Sequence, residues 1–201
     1  SITFDAIADH PLSDSPIALK ATSSSGLAVA FTSMTPTTCN ASASNGALVG
    51  TGTCTIRASQ AGNVNFAAAA PVDRSFSIRQ AAQTITFPEI TGKTYGNPPF
   101  GVTATSSSAL PVTLVSLTGT VCTSSGASVT LVAAGTCTLR ASQAGDARFA
   151  AATPVDRSFV VAKSSQVIAF APLASRPLGN PPFAVAAVAS SSLPVQFVSG
   201  T

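Results

Sequence analysis

Hydrophobic and polar residues alternate along this chain with a period of two, in short runs broken by turn-forming residues. Thr84-Ile85-Thr86-Phe87 alternates, and Pro88 ends or edges that run. Gly96-Asn97-Pro98-Pro99 reads as a turn before a strand from Phe100 to Thr105, and Ser106-Ser107-Ser108 as the next turn. Leu110, Val112 and Leu114 alternate with Pro111 and Thr113. A strand near Val121-Cys122 runs into Ser125-Gly126, Ser128 to Val132 is the next, and Gly135 turns the chain again. In Cys137-Thr138-Leu139-Arg140-Ala141-Ser142 the Cys, Leu and Ala face one way and the polar residues the other. A last strand lies near Arg157 to Val161, with Phe159 and Val161 on one face. Roughly seven short strands with turn signals about every 8–12 residues predict an all-β, antiparallel sandwich. The one helical candidate, Asn65 to Ala70 with Arg148 to Ala152 opposite, is stopped by Pro71 and Pro154 and reads as a loop with at most one turn.

The pattern recurs without a gap. Cys122 follows Cys39 by 83 residues, and Cys137 follows Cys54 by the same 83. Ile2-Thr3-Phe4 matches Ile85-Thr86-Phe87 and Ile168-Ala169-Phe170. Pro71 to Phe76 matches Pro154 to Phe159. The expected division is two full repeats, 1–82 and 83–165, and an incomplete third, 166–201, of about three strands. The expected core of the first is Ile2, Phe4, Leu27, Val29, Phe31, Leu48, Ile56, Phe66, Phe76 and Ile78. That of the second is Ile85, Phe87, Leu110, Val112, Leu114, Val129, Leu131, Leu139, Phe149, Phe159 and Val161. A unit of this size buries a small core. The third repeat cannot close a sandwich alone. Its Val195 and Phe197 face is expected to pair with strands of another chain, or with more chain that follows.

All four cysteines fall in the repeated stretch. Of the three possible pairings the repeat favours disulfides Cys39–Cys54 and Cys122–Cys137, since cross-repeat bridges would join positions a domain length apart. Free buried thiols are the plainer alternative. A metal is disfavoured, because no CxxC occurs and His10 is the only histidine. Disulfides imply the periplasm or the outside of a cell.

Composition narrows the function. Only 8% of residues are charged, 45% are hydrophobic, and the net charge of +3 comes from ten scattered Lys and Arg against seven Asp and Glu. Nucleic-acid binding needs clustered cations, so no nucleic-acid partner is expected. No apolar run reaches the roughly 18 residues of a membrane span.

No catalytic, cofactor-binding or metal-binding residue is expected. His10 stands alone, with Lys93 at its position in the second repeat, and reads as a surface turn residue. Asp5, Asp9 and Asp14 are replaced by Pro88, Gly92 and Asn97, which disfavours a calcium site. Neighbouring Asp73-Arg74 and Asp156-Arg157 face opposite sides of a strand, and Arg57 and Arg140 point away from the cysteines and read as solvated. A Lys–Asn cross-link would need Lys20 and Asn40, and neither repeats. Gly50 to Thr53 leads into a strand and lacks the lysine of a phosphate loop.

Taken together, the ITF start, the Gly-Asn-Pro-Pro-Phe and Ser-Ser-x-Leu-Pro-Val stretches, the Cys-Thr-[Ile/Leu]-Arg-Ala-Ser-Gln-Ala-Gly run and the Pro-Val-x-Arg-Ser-Phe close resemble bacterial immunoglobulin-like tandem repeats. The resemblance covers the whole chain. The first repeat departs from it where His10 to Ile17 stands in place of Lys93 to Phe100. It implies tandem immunoglobulin-like sandwiches on a bacterial cell surface, acting as a stalk of an adhesin or as part of a filament. Implied partners are further repeats of the same or neighbouring chains, within a fibre. A rival expectation is a module whose loops, such as Gly92 to Pro99, bind a surface glycan or receptor. The recurrence of the loop sequences favours the structural role.

Overall fold

A computed structural model describes residues 1–200. The first repeat forms β1 Ile2–Phe4, β2 His10–Pro11, β3 Ile17–Ala18, β4 Ala21–Ser23, β5 Ala30–Ser33, β6 Cys39–Ser42, β7 Asn45–Leu48, β8 Gly52–Gln60 and β9 Ala69–Arg79. The second forms β10 Ile85–Thr86, β11 Lys93–Thr94, β12 Phe100–Gly101, β13 Thr105–Ser106, β14 Thr113–Ser116, β15 Cys122–Ser125, β16 Ser128–Leu131, β17 Gly135–Ser142 and β18 Val155–Ala162. The third contributes β19 Ile168–Phe170 and β20 Ala187–Ala189. A single 3-10 turn, Leu12–Asp14, is the only helical element among the described residues.

Sheet order identifies the topology. One layer of the first repeat orders as β2-β9-β8-β5; the other is β3-β7-β6, extended by the β1-β4 pair. β3 and β4 are two halves of one strand, since Leu19 between them still donates to the Ser44 carbonyl at 2.8 Å. Counted so, the layers read A-B-E-D (β1, β3 with β4, β7, β6) against C-F-G (β5, β8, β9), with β2 as an added edge strand parallel to β9. This is the immunoglobulin-like arrangement of about seven strands. The second repeat reproduces it, with β11-β18-β17-β14 facing β12-β16-β15 and the β10-β13 pair.

Alternation decides what is buried. In β8, Cys54, Ile56 and Ala58 lie inside while Thr55 and Arg57 face out; in β17, Cys137, Leu139 and Ala141 do the same. Leu12, Ile17, Leu19 and Ala58 complete the first core, and Val102, Ala141 and Ala152 the second. Phe66 departs from the expected core. It is 49% exposed, because it sits on the β8–β9 loop and not on a strand. Pro71 does not stop its segment but lies inside β9, which begins at Ala69 beside a register shift between Ala58 and Gln60.

Among the described residues, 166–200 show two strands and not the three expected. β19 pairs with β20 as β1 does with β4, and Phe170 meets Phe197 at 5.7 Å as Phe4 meets Phe31 at 5.4 Å. The counterparts of β5 and β14 form no strand here, since both of those are held by a long neighbour, β8 or β17. Phe170 and Phe197 stay about half exposed, whereas Phe4 and Phe87 are buried.

Candidate functional site: disulfide clamps, arginine clasps and the repeat junction

The chemistry that recurs in both repeats is structural. Cys39 is bonded to Cys54, and Cys122 to Cys137, with Cα separations of 5.7 Å in each. Each bond crosses the core from the D strand (β6 or β15) to the F strand (β8 or β17). All four residues are fully buried. The surroundings of the first cystine match those of the second. Ser33 Oγ and Ser116 Oγ lie 3.4 and 3.3 Å from Cys39 and Cys122 sulfur, and Thr35 and Thr118 hydroxyls lie at 3.5 Å in both.

A second tie joins the outer strands. The Asp-Arg neighbours of β9 do face opposite sides, and the inward Arg74 reaches across the sandwich edge to donate to the Phe4 carbonyl at 2.8 Å. Arg157 does the same to the Phe87 carbonyl at 2.8 Å. This fastens strand A, too short to hold itself by ladder bonds, to the longest strand of the repeat. Only the recurrence of Asp-Arg hinted at it in sequence. Substituting Arg157 with Met keeps the aliphatic stem but leaves that carbonyl without its cationic donor. The expected loss is about 1–2 kcal/mol in urea unfolding, with Lys recovering part of it.

Arg57 and Arg140 face away from the cystines, but they are not simply solvated. Arg57 Nε and Nη2 grip both Asp73 carboxylate oxygens at 2.8 Å, and Arg140 grips Asp156 at the same distances. The antiparallel register sets Arg57 directly opposite Asp73 and Arg140 opposite Asp156. The hydrogen bonds from arginine, helped by its charge and partly opposed by desolvation, hold both aspartates below their ordinary range, and raise the arginines further. Because the folded pKa values are depressed, this stabilisation is complete above the unfolded aspartate value of ~4 and is lost as pH falls through the folded value. The pairs are exposed, so the effect is small and salt-sensitive. Thermal melts from neutral pH into acid should show a slightly shallower loss of stability for the D73N/D156N variant than for the parent.

Two of the three clustered acidic residues of the first repeat, Asp9 and Asp14, are engaged within the protein. Asp9 accepts from the Ser77 N–H at 2.8 Å and pairs with Arg79 at 3.1 Å; Asp14 contacts His10 Nδ1 at 3.0 Å. His10 is not a turn residue. It lies in edge strand β2, parallel to Ile78–Arg79, with its ring edge-on to Phe76 at 6.0 Å. Asp5 and Lys20 line one open cleft together with Leu19 and Phe31, while His10 lies in β2 against Ile78. Among the described residues no three His, Cys, Asp or Glu groups come together as metal ligands. Nor is any helix long and apolar enough to cross a membrane.

The junction between the first two repeats is built from residues the strand pattern did not single out. Ala81 forms a parallel bridge with Phe149: its N–H donates to the Arg148 carbonyl at 2.8 Å, and its own carbonyl accepts from Ala150 N–H at 2.9 Å. Gln83, only 7% exposed, donates to the Ala150 carbonyl at 2.7 Å and to Gln143 Oε1, and accepts from Ser108. Gln80 adds a bond to the Asp146 carbonyl. The receiving loop is prefolded. Gly145 turns it at φ +79°, and Asp146 Oδ1 accepts the N–H groups of Arg148 and Phe149 at 2.7 and 2.8 Å. In the sequence the junction shows as the short stretch Arg79 to Gln83 between the repeats, but its seating on the Ser-Gln-Ala-Gly loop does not show.

No protein-family model matches the chain, and no curated protein matches it. Among solved structures, Drosophila N-cadherin EC1-4 is similar at 13% identity, over 82% of this chain and 50% of that one, with a TM-score of 0.34. Mouse cadherin-23 EC22-24 is similar at 14%, over 94% and 78%, with a TM-score of 0.33. Domains 4 and 5 of the S-layer protein SbsC are similar at 17%, over 72% and 82%, with a TM-score of 0.31. The match thus spans half the length of the N-cadherin fragment. The sandwich assignment rests on strand order and not on these distant likenesses.

Proposed function

We propose that this chain is a non-enzymatic, extracellular structural repeat, divided at 1–82, 83–165 and 166–201, that forms a disulfide-clamped stalk or surface filament of a bacterial adhesin-like protein. The observation that carries the reading is the hydrogen-bonded junction at Ala81 and Gln83. A linker docked along its length fixes one sandwich against the next, as a spacer under tension needs and an independent binding module does not. Buried cystines support a secreted location, where such bonds persist. Clamps across each core and arginine clasps on strand A oppose unravelling from an end. The natural partners are further immunoglobulin-like repeats, of the same or a neighbouring chain. Electron microscopy of native material tests this: straight, regularly beaded rods or fibres are expected. Particles whose sandwiches adopt random angles would sink the proposal.

One feature favours a second reading, an adhesive module that binds a surface glycan or receptor. A cleft of about 740 Å³ lies between Tyr95-Gly96, Val132 to Ala134 and Ser190 to Leu193. Tyr95 is about half exposed there and offers a ring to a sugar face. Glycan-array binding that disappears on Tyr95→Ala would favour this reading over the spacer.

A further inference from the structure

The first repeat carries the same receiving loop that the linker Gln80 to Gln83 occupies in the second. Gln60 stands for Gln143, Gly62 for Gly145, Asn63 for Asp146, Phe66 for Phe149 and Ser25 for Ser108, each 83 residues earlier. The local geometry agrees. Gly62 has φ +80° and Gly145 +79°. Gln60 Oε1 accepts from Gly62 N–H at 2.9 Å, as Gln143 Oε1 accepts from Gly145. Asn63 Oδ1 accepts the N–H groups of Asn65 and Phe66 at 2.8 and 3.0 Å, as Asp146 does one repeat later. The two loops differ in exposure where the linker lies. Phe149 and Ala150 are half-buried and Ala152 is buried, whereas Phe66 and Ala67 are exposed and Ala69 is half-buried. The docking glutamine is also not peculiar to Gln83, because Ser191 bonds Gln166 as Ser108 bonds Gln83.

We infer that the loop Gln60 to Ala69, with Ser25, is a recognition site for an extended segment of Arg-Gln-Ala-Ala-Gln chemistry joined directly to Ser1. The final glutamine of that segment takes the place of Gln83. Its amide donates to Gln60 Oε1 and the Ala67 carbonyl, and its carbonyl oxygen accepts from Ser25. The residue two before it takes the place of Ala81. Its N–H donates to the Asn65 carbonyl, and its carbonyl accepts from Ala67 N–H. A segment seated there is specified by backbone ladder bonds plus glutamine side chains, as Gln80 to Gln83 is on the second repeat, with no charge involved. The inference goes beyond the stalk reading, since it would hold equally for an adhesive module.

The test uses the full chain in three forms: as it is, with Arg-Gln-Ala-Ala-Gln fused before Ser1, and with Arg-Gln-Ala-Ala-Ala fused there. Amide hydrogen exchange at Ala67 and thermal melting are read for each. The glutamine-ended form should slow Ala67 exchange by about tenfold or more and raise the melting temperature by several degrees. The alanine-ended form should lose most of both effects. Equal Ala67 exchange in all three forms overturns the proposal. So does Ala67 protection in the unextended chain that rises with protein concentration, because a second copy would then be filling the loop.

Discussion

Replacing Cys122 and Cys137 together by alanine should lower the melting temperature of the second sandwich by roughly 10–25 °C. The bond closes a 15-residue separation, worth about 3 kcal/mol in the chain-entropy account, and a domain of this size loses about 4–8 °C per kcal/mol. The position adds to the effect. Both sulfurs are buried among Val129, Leu139 and Phe159, so truncation also leaves unfilled space between the sheets. The same double change at Cys39 and Cys54 should act on the first sandwich to a similar extent, because the two clamps are superposable in separation and surroundings. Calorimetry of each variant measures it. A fall below about 5 °C would mean that core packing, and not the cystine, holds strand D to strand F. Protection from reductant in the folded state is a companion expectation, since neither sulfur is exposed.

Alanine at Gly145 should be nearly as damaging, for a different reason. The residue sits at φ +79°, where a side chain is strained, and an added Cβ would lie 2.3 Å from the Phe149 carbonyl oxygen and 2.8 Å from the Ala150 carbonyl carbon and Ala151 nitrogen. All three are backbone atoms, so the loop itself must move. The expected cost is roughly 2–4 kcal/mol. Gly126 makes the control. Its φ is +56° but a Cβ there meets nothing within 4 Å, so only the left-handed backbone cost of about 1–2 kcal/mol should appear. The Gly145 change should also loosen the junction, since Arg148 and Ala150 present the groups that bind Ala81. Faster exchange of the Ala81 and Ala150 amides in Gly145→Ala, but not in Gly126→Ala, is the distinguishing measurement. Equal damage from the two substitutions would refute the close-approach account.

Legibility differed sharply between the strands and what lies between them. β8 and β17 were readable because alternation places Cys54, Ile56 and Ala58, or Cys137, Leu139 and Ala141, on one face, and that face is buried. Alternation says which way a side chain points, but not what stands opposite. Arg57 meets Asp73 only because the hairpin register pairs them across 16 residues, and Arg74 meets the Phe4 carbonyl across 70. His10 was misread for the same reason. Its strand is two residues long and pairs with β9 at Ile78, far along the chain, so no local period announced it. Phe66 misled in the other direction, since an aromatic residue in a loop carries no face.

The all-β character, the turn positions and the alternating inner face of each long strand depend on neighbours within a few residues and are legible in the chain itself, as is the 83-residue recurrence. Packing of the sheets sets the pairing of exposed arginines with aspartates, the clasp from strand G onto strand A, and the seating of Ala81 and Gln83 on the loop after β17. Those contacts join residues tens of positions apart. Their energies depend on register and loop shape, which emerge only once the sheets have packed.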